Sequence, residues 1–299
     1  MKLVINGFTL KGIKIMNTYN KKEIPEHLQK YFEPAELGLE PTFQEYINKL
    51  CDIFDEVKRV LKKEGTCWVN MGDTYISTGE GRHAGYTDPK YKNGRVGRQI
   101  EANALPQIIP EKCLAQIPNR FSIEMCNRGW ILRNEIIWHK PNCMPSSVKD
   151  RFTVDFEKLF FFVKSKKYYF ETQYEPFKSE PTKLRDKRNE NYGKAFLSPL
   201  GKGLRNGYEQ GARNKRAVWT ITTKPFREAH FATYPEALCE TPIKAGCPIG
   251  GIVLDPFFGA GTTGVVAKKL DRNYLGIELN PEYIKIAQAR IKAVPEKLL

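Results

Sequence analysis

GIVLDPFFGAGTTGVVAKKLDRNYLGIELN, residues 251–280, decides how this chain is read. Ile252-Val253-Leu254 is a short apolar run of the kind that makes a buried parallel strand. Asp255-Pro256-Phe257-Phe258 leaves that strand, Gly259 to Gly264 turns, and Val265 to Leu270 reads as a helix. A second strand, Tyr274 to Ile277, ends on Glu278. This order of strand, glycine turn, helix, strand and acid brings backbone N–H groups and a helix start close to an anionic group. Glu278 follows Gly259 by 19 positions, near the ~20-residue spacing at which an acid takes ribose hydroxyls. The unit is expected to hold a ligand with a ribose and an anionic end.

Gly259 to Gly264 also fits G-x-G-x-x-G, so a dinucleotide site is an alternative. Two features point away from it. Asp255 to Phe258 separate the strand from the first glycine, where a dinucleotide fold turns at once. The unit also lies near the end of the sequence, whereas a dinucleotide fold usually starts with it.

Composition sets wider bounds. The chain has 299 residues, 41% of them hydrophobic, enough for one large or two modest domains. A net charge of +14 favours a polyanionic partner. A solvated basic surface or membrane phosphates would also fit the charge. No apolar run approaches ~18 residues, so no membrane-spanning helix is expected, and the first residues lack the pattern of a secretory signal. The seven cysteines are odd in number and form no C-x-x-C pair. Neither a disulfide framework nor a zinc site is expected, and the thiols read as those of a reduced, cytoplasmic protein. His27, His83, His139 and His230 are too scattered for a local ligand motif, so no metal is expected.

Upstream, Lys2 to Ile5 and Ile13 to Met16 could be short strands. Thr42 to Lys62 reads as an amphipathic helix, with Thr42 and Glu45 as a capping box and Gly65 after its end. Thr66 to Met71 reads as a strand, and Ser77 to Pro110 as a long basic loop. Glu111 to Arg128 reads as a helix bent near Pro118, and Trp130 to Trp138 as a strand. Phe156 to Val163 and Lys167 to Phe170 suggest a hairpin. Ala217 to Thr222 reads as a strand, Tyr234 to Ala245 as a helix, and Glu282 to Val294 as a last helix behind Asn280-Pro281. Residues 176–216 change character: Lys and Arg are interleaved with Tyr192, Phe196 and Tyr208. They read either as a disordered surface insertion or as a DNA-contacting segment, with cations on phosphates and loop side chains on base edges.

From about Gly38 onward the chain resembles site-specific DNA methyltransferases that modify exocyclic amino groups. Five blocks carry the resemblance, in one order: GLEPT at 38–42, WVNMGDTY at 68–75, NEIIWHKPNCMPSSVKDRFT at 134–153, AVWTITTKPFREAHFATYPEAL at 217–238 and DPFFGAGTTG at 255–264. The resemblance implies an α/β S-adenosylmethionine-dependent methyltransferase fold, a mostly parallel seven-stranded sheet with helices on both faces. It implies a catalytic and cofactor domain of residues 1–175 and 217–299, with 176–216 as a target-recognition segment. In that arrangement S-adenosylmethionine is held by Asp255, Phe257, Gly259, Gly261, Thr262 and Glu278, with Phe231 and Thr233 near its methionine part. Lys140, Asn142, Lys149 and Arg151 lie near double-stranded DNA, although a plain surface loop is the equal alternative there. WVNMGDTY is implied to line the pocket of a base flipped out of the duplex. A cognate restriction endonuclease is an implied partner. The WVNMGDTY and WHKPN blocks resemble cytosine-N4 relatives more than adenine-N6 ones.

One part of the family pattern is missing. A Ser/Asp/Asn-Pro-Pro-Tyr/Phe tetrapeptide should precede GLEPT, and the sequence contains no Pro-Pro. Asn17 and Tyr19, of Asn17-Thr18-Tyr19, are the stand-ins, with an amide and an aromatic ring but neither proline. A shortened N-terminus or a relative that binds DNA and cofactor without turnover is expected ahead of substitution by Asn17-Thr18-Tyr19. A nicotinamide-dependent oxidoreductase is the alternative from a different class.

Overall fold

The computed structural model describes residues 2–8 (backbone only), 37, 40, 42–76, 109–176, 212–223 and 234–295. The elements run β1 (Lys2–Phe8), α1 (Phe43–Val60), β2 (Leu61–Met71), α2 (Ile117–Asn127), β3 (Ile131–His139), β4 (Phe156–Val163), β5 (Tyr174–Pro176), β6 (Ala212–Asn214) and β7 (Val218–Thr220). They continue as α3 (Glu236–Gly246), β8 (Ile252–Asp255), α4 (Thr262–Lys269), β9 (Asn273–Gly276) and α5 (Pro281–Lys292). Ile13 to Met16, Asn17, Tyr19, residues 77–108 of the basic loop, residues 177–211 of the insertion, His230, Phe231 and Thr233 lie outside the described residues. The chain divides into two units, Met1–Phe8 with Leu61–Asn70 and Ile131–Leu299, and Thr9–Val60 with Met71–Trp130.

The first unit is built on a seven-stranded sheet in the order β7-β3-β4-β2-β1-β8-β9. β3/β7 and β8/β9 pair in parallel; β1/β2, β1/β8 and β3/β4 pair antiparallel. Two cross-strand contacts orient β4 against β2. Trp68 stacks on Phe161 with centroids 4.1 Å apart, and Asn70 Nδ2 donates to Lys158 O at 3.1 Å. Numbers rise along β2 as they fall along β4, so this pair is antiparallel too.

The expected seven strands are present, but the sheet is mixed rather than mostly parallel. Two strands cause the difference. β3 and β4 follow one another through a hairpin, a connection that antiparallel strands can make and parallel ones cannot. β1 fills the slot between β2 and β8 against the direction of both. The other five strands share one direction, so His139, Thr220, Asp255 and Gly276 stand at one end of the sheet. Four strand spacings separate β3 from β8, ~19 Å at about 4.8 Å each.

Side chains facing this sheet make one core, in which Trp68, Trp138, Phe161 and Trp219 meet Leu238 and Ile243 of α3 and Val266 of α4. Full burial of each such apolar side chain stabilises by roughly 1.5–3 kcal/mol. Lys167–Phe170 is not a strand, because β4 takes β3 as its partner. Tyr168 and Phe170 instead lie against Phe161 at 5.8 and 5.7 Å. Apart from the main sheet, β5 and β6 pair antiparallel, with Glu175 Oε1 held by Arg213 Nε at 2.8 Å and Arg216 Nε at 2.6 Å. This ribbon is the stem from which residues 177–211 leave and return.

In the second unit, α1 buries Ile47, Leu50, Cys51, Phe54 and Val57, one face at helical spacing. Thr42 Oγ1 accepts from Glu45 N at 3.1 Å at its start. The helix stops at Val60, two residues before the expected end, since Leu61 already belongs to β2. α2 starts at Ile117 with Pro118 in its first turn, where a missing N–H costs nothing, so the expected bend is a helix start. Its N-cap, Gln116, makes no capping bond; Asp73 Oδ1 accepts from Ile117 N at 3.1 Å instead. Phe54 meets Phe121 edge-on at 5.2 Å. Arg128 gathers Asp52, Asp55 and Glu124 at 2.7, 2.7 and 2.9 Å.

Candidate functional site

The site grows from the junction of β8, β9 and α4. Asp255 pairs with Gly276 across the parallel ladder. Ile277 N donates to Asp255 O at 2.9 Å and Phe258 N to Ile277 O at 3.0 Å, which ties the turn to the strand beside it. α4 starts behind Gly261, whose φ of 75° is left-handed.

The glycines divide by what surrounds them. A Cβ on Gly276 would lie 2.2 Å from the Phe258 ring, one on Gly264 2.6 Å from it, and one on Gly261 2.7 Å from Ala287 Cβ. These three make room for the protein's own Phe258 and α5. Gly259 differs: its nearest neighbour in that direction is Phe257 O at 3.9 Å, and its φ is 51°. It is the loop glycine with space for a ligand.

Glu278 closes the turn. Its Oε2 accepts from Gly259 N at 2.7 Å and its Oε1 from Asn280 N at 2.9 Å. Acid and glycine, 19 residues apart, therefore meet at one place. Leu279, 68% exposed next to Glu278, adds an apolar surface that the sequence reading missed. Its signal was an apolar residue directly after the strand-ending acid.

Asp255 lies beneath this surface and not on it. It is buried, with Oδ1 accepting from Phe257 N at 2.9 Å and Oδ2 from Thr263 Oγ1 at 2.6 Å. The Tyr234 hydroxyl bonds to Thr263 Oγ1 and reaches Asp255 Oδ2 at 3.4 Å. Burial pushes the Asp255 carboxyl up to about 6, against the opposing pull of hydrogen bonds from Thr263, Phe257 and Tyr234. Burial also raises the Tyr234 phenol well above its ordinary value. Thr262 is likewise buried, its hydroxyl accepting from Arg290 Nη1 at 3.1 Å, and the same nitrogen donates to Ala260 O. Asp255 and Thr262 thus hold the turn from inside, while half-buried Phe257, Gly259 and Glu278 line its outer side. Tyr234 and Arg290 are further supports that sequence reasoning did not single out.

The four residues expected near DNA also divide. Lys140 Nζ is paired with Glu157 at 2.7 Å and lies 5.2 Å from the Trp138 ring centroid. The Asn142 side chain donates to Thr223 O at 3.0 Å and accepts from Thr223 N at 2.9 Å. Both brace the β3–β4 hairpin. Lys149 and Arg151 are exposed on its loop. In the WVNMGDTY block, Asp73 caps α2. Among the described residues no His, Cys, Asp and Glu cluster could hold a metal ion, and no helix is long and apolar enough to cross a membrane.

Residues 13–289 match the DNA methylase family of the N6/N4 type. The chain is similar to the type II methyltransferase M.Cfr9I of Citrobacter freundii, 40% identical over 265 residues that cover 89% of this chain and 77% of the relative. It is similar to M.SmaI of Serratia marcescens at 39% identity, covering 88% and 80%. Among solved structures, the cytosine-N4-specific PvuII DNA methyltransferase aligns with a TM-score of 0.56 at 18% identity, covering 86% of this chain and 74% of that one. A Thermus thermophilus chain solved with S-adenosyl-L-methionine aligns with a TM-score of 0.51 at 20% identity, covering 85% and 79%.

Proposed function

The chain belongs to the N6/N4 DNA methylase family, and from that premise we propose that it moves a methyl group from S-adenosylmethionine to the exocyclic amino group of a base flipped out of double-stranded DNA. We favour cytosine N4 over adenine N6, on the likeness of the WVNMGDTY and WHKPN blocks to cytosine-type relatives. Family membership sets aside the nicotinamide-dependent oxidoreductase. Helices on both faces of the sheet, a target-recognition role for residues 176–216 and a cognate restriction endonuclease belong to the same proposal.

One observation carries it: Gly259 N–H on Glu278 Oε2 at 2.7 Å, beside a Gly259 face whose nearest atom among the described residues is Phe257 O at 3.9 Å. The residues suit an adenosine bearing a charged amino-acid tail. Glu278 would take the ribose hydroxyls, Leu279 would lie against the adenine, and Phe257 and Gly259 would flank the tail. Asp255, Thr262 and Gly261 would act by keeping the turn in shape. S-adenosylmethionine supplies a methyl group on a sulfonium sulfur. The chain's own residues bind and orient, converting an encounter between two solutes into a positioned reaction.

The test is radiolabelled methyl transfer to mixed-sequence plasmid DNA, followed by nucleoside analysis. N4-methylcytosine is the expected product, and N6-methyladenine would overturn the choice of acceptor. S-adenosylmethionine binding with no transfer would instead support the second reading, a DNA- and cofactor-binding relative without turnover.

A further inference from the structure

The hairpin between β3 and β4 carries a 16-residue connection, residues 140–155, at the end of the sheet where the cofactor turn also lies. Its stem is fixed from several directions. Lys140 N donates to Asp155 O at 2.7 Å, and Cys143 N to Lys140 O at 3.1 Å. His139 Nδ1 lies 3.2 Å from Thr220 Oγ1, and its Nε2 lies 3.5 Å from Asp155 Oδ2. The Lys140–Glu157 and Asn142–Thr223 contacts described above complete the brace. A stem held this firmly presents its loop; it does not let the loop fray.

What the loop presents is apolar. Phe152 is 96% exposed and Met144 89%, with Val148 and Val154 exposed nearby. A single exposed apolar side chain is ordinary, but four within eleven residues, flanked by Lys149 and Arg151, are not. Cations beside an unsupported aromatic ring match the chemistry of proteins that unstack a duplex: the cations hold phosphates while an apolar wedge enters between base steps. The charge of the chain, +14, suits the same polyanion.

We propose that Phe152 is such a wedge, inserting between base steps of the bound duplex and lowering the cost of extruding the target base. This rests on the DNA methyltransferase reading and names a positioning residue for it. Phe152, 96% exposed, would act on the duplex and not on the reacting atoms.

The chain contains its own optical background for the test. Trp68, Trp130, Trp138 and Trp219 are its four tryptophans, and all are buried. Phe152→Trp therefore adds one exposed indole whose emission reports stacking. The variant is titrated, with S-adenosylmethionine present, with sheared mixed-sequence duplex DNA and separately with heparin, a polyanion without bases. DNA is expected to quench the introduced indole and shield it from acrylamide, while heparin binds without doing either. Bound DNA with an unquenched, accessible indole would overturn the wedge. So would equal protection by heparin, or protection that rises with protein concentration alone and marks self-association. Failure to bind DNA at all would overturn the methyltransferase reading itself.

Phe152→Ala gives the second arm. Its melting temperature, cofactor affinity and salt slope of DNA binding are expected to stay those of the parent, since an exposed ring supports no packing. Methyl transfer to duplex should fall on the order of tenfold or more, and far less on the same sequence in single-stranded form. Equal losses on both forms would rule out a wedge.

Discussion

The main-chain N–H of Gly259 donates to Glu278 Oε2 at 2.7 Å, so the loop and the acid that flank the proposed cofactor surface hold each other directly. Glu278→Ala removes that bond and the proposed ribose partner together. Charged hydrogen bonds contribute roughly 1.5–3 kcal/mol, so S-adenosylmethionine affinity by calorimetry should drop about 10- to 100-fold. The carboxylate is only half-buried, so the melting temperature should change little. Unchanged affinity would remove Glu278 from the site.

Glycine substitutions should separate packing from ligand contact. Gly276→Ala puts a methyl group 2.2 Å from the Phe258 ring, and the variant is expected to be insoluble or strongly destabilised. Gly259→Ala meets open space and only the left-handed backbone penalty, roughly 1–2 kcal/mol. It should fold, with weakened cofactor binding. Denaturant midpoints and calorimetry on the two variants check the contrast.

Tyr234→Phe removes a buried hydroxyl from Thr263 and Asp255. The loss is expected to be about 1 kcal/mol by urea denaturation, the usual worth of one internal hydrogen bond. Asp255→Ala should cost more than Asp255→Asn, because it strands Phe257 N–H and two hydroxyls, whereas the amide can accept from one side and donate to the other.

Asp255 also predicts a pH dependence. Its folded pKa of about 6 exceeds the ordinary 3.8, so the folded state holds the proton more tightly than the unfolded chain. Its contribution is therefore fully favourable below pH ~4, declines as pH rises to about 6, and levels off above. The change is on the order of 3 kcal/mol at 1.36 kcal/mol per pKa unit. Subtracting the stability of Asp255→Asn at each pH isolates it. A difference that is flat between pH 4 and 6 would show that Asp255 titrates normally.

Lys149 and Arg151 make a prediction about salt. If each neutralises one phosphate, either alanine variant should lower the slope of log affinity against log salt by about 1. Lys140→Ala should leave the slope alone, since Lys140 is paired with Glu157.

The sequence was most informative where local chemistry decides local structure. The strand, glycine turn and helix of residues 252–269 and the acid after β9 could be read from residue types and spacing. The five blocks carried the family. Which face each residue occupies could not be read, because Asp255 and Thr262 share motif letters with Gly259 yet point inward, toward Tyr234 and Arg290 from outside the motif. Strand direction was illegible for a similar reason. Lys2 to Ile5 reads as a strand of either sense, and only pairing with Trp68 and Leu254, distant in sequence, gives it one. Lys167–Phe170 has the composition of a strand that would pair with β4, but it takes its place by packing on Phe161.

The position of β1 has a temporal consequence. Ile5 pairs with both Cys67 and Leu254, so β1 is flanked in the finished sheet by a strand made long after it. During synthesis, β1 and β2 can join as soon as both have left the ribosome. The β8 side of the sheet must wait for about 180 further residues, those between Met71 and Ile252, and then close the long loop from Phe8 to Ile252. Until then β1 offers a bare edge, the state in which a nascent chain most needs a chaperone or a quick finish.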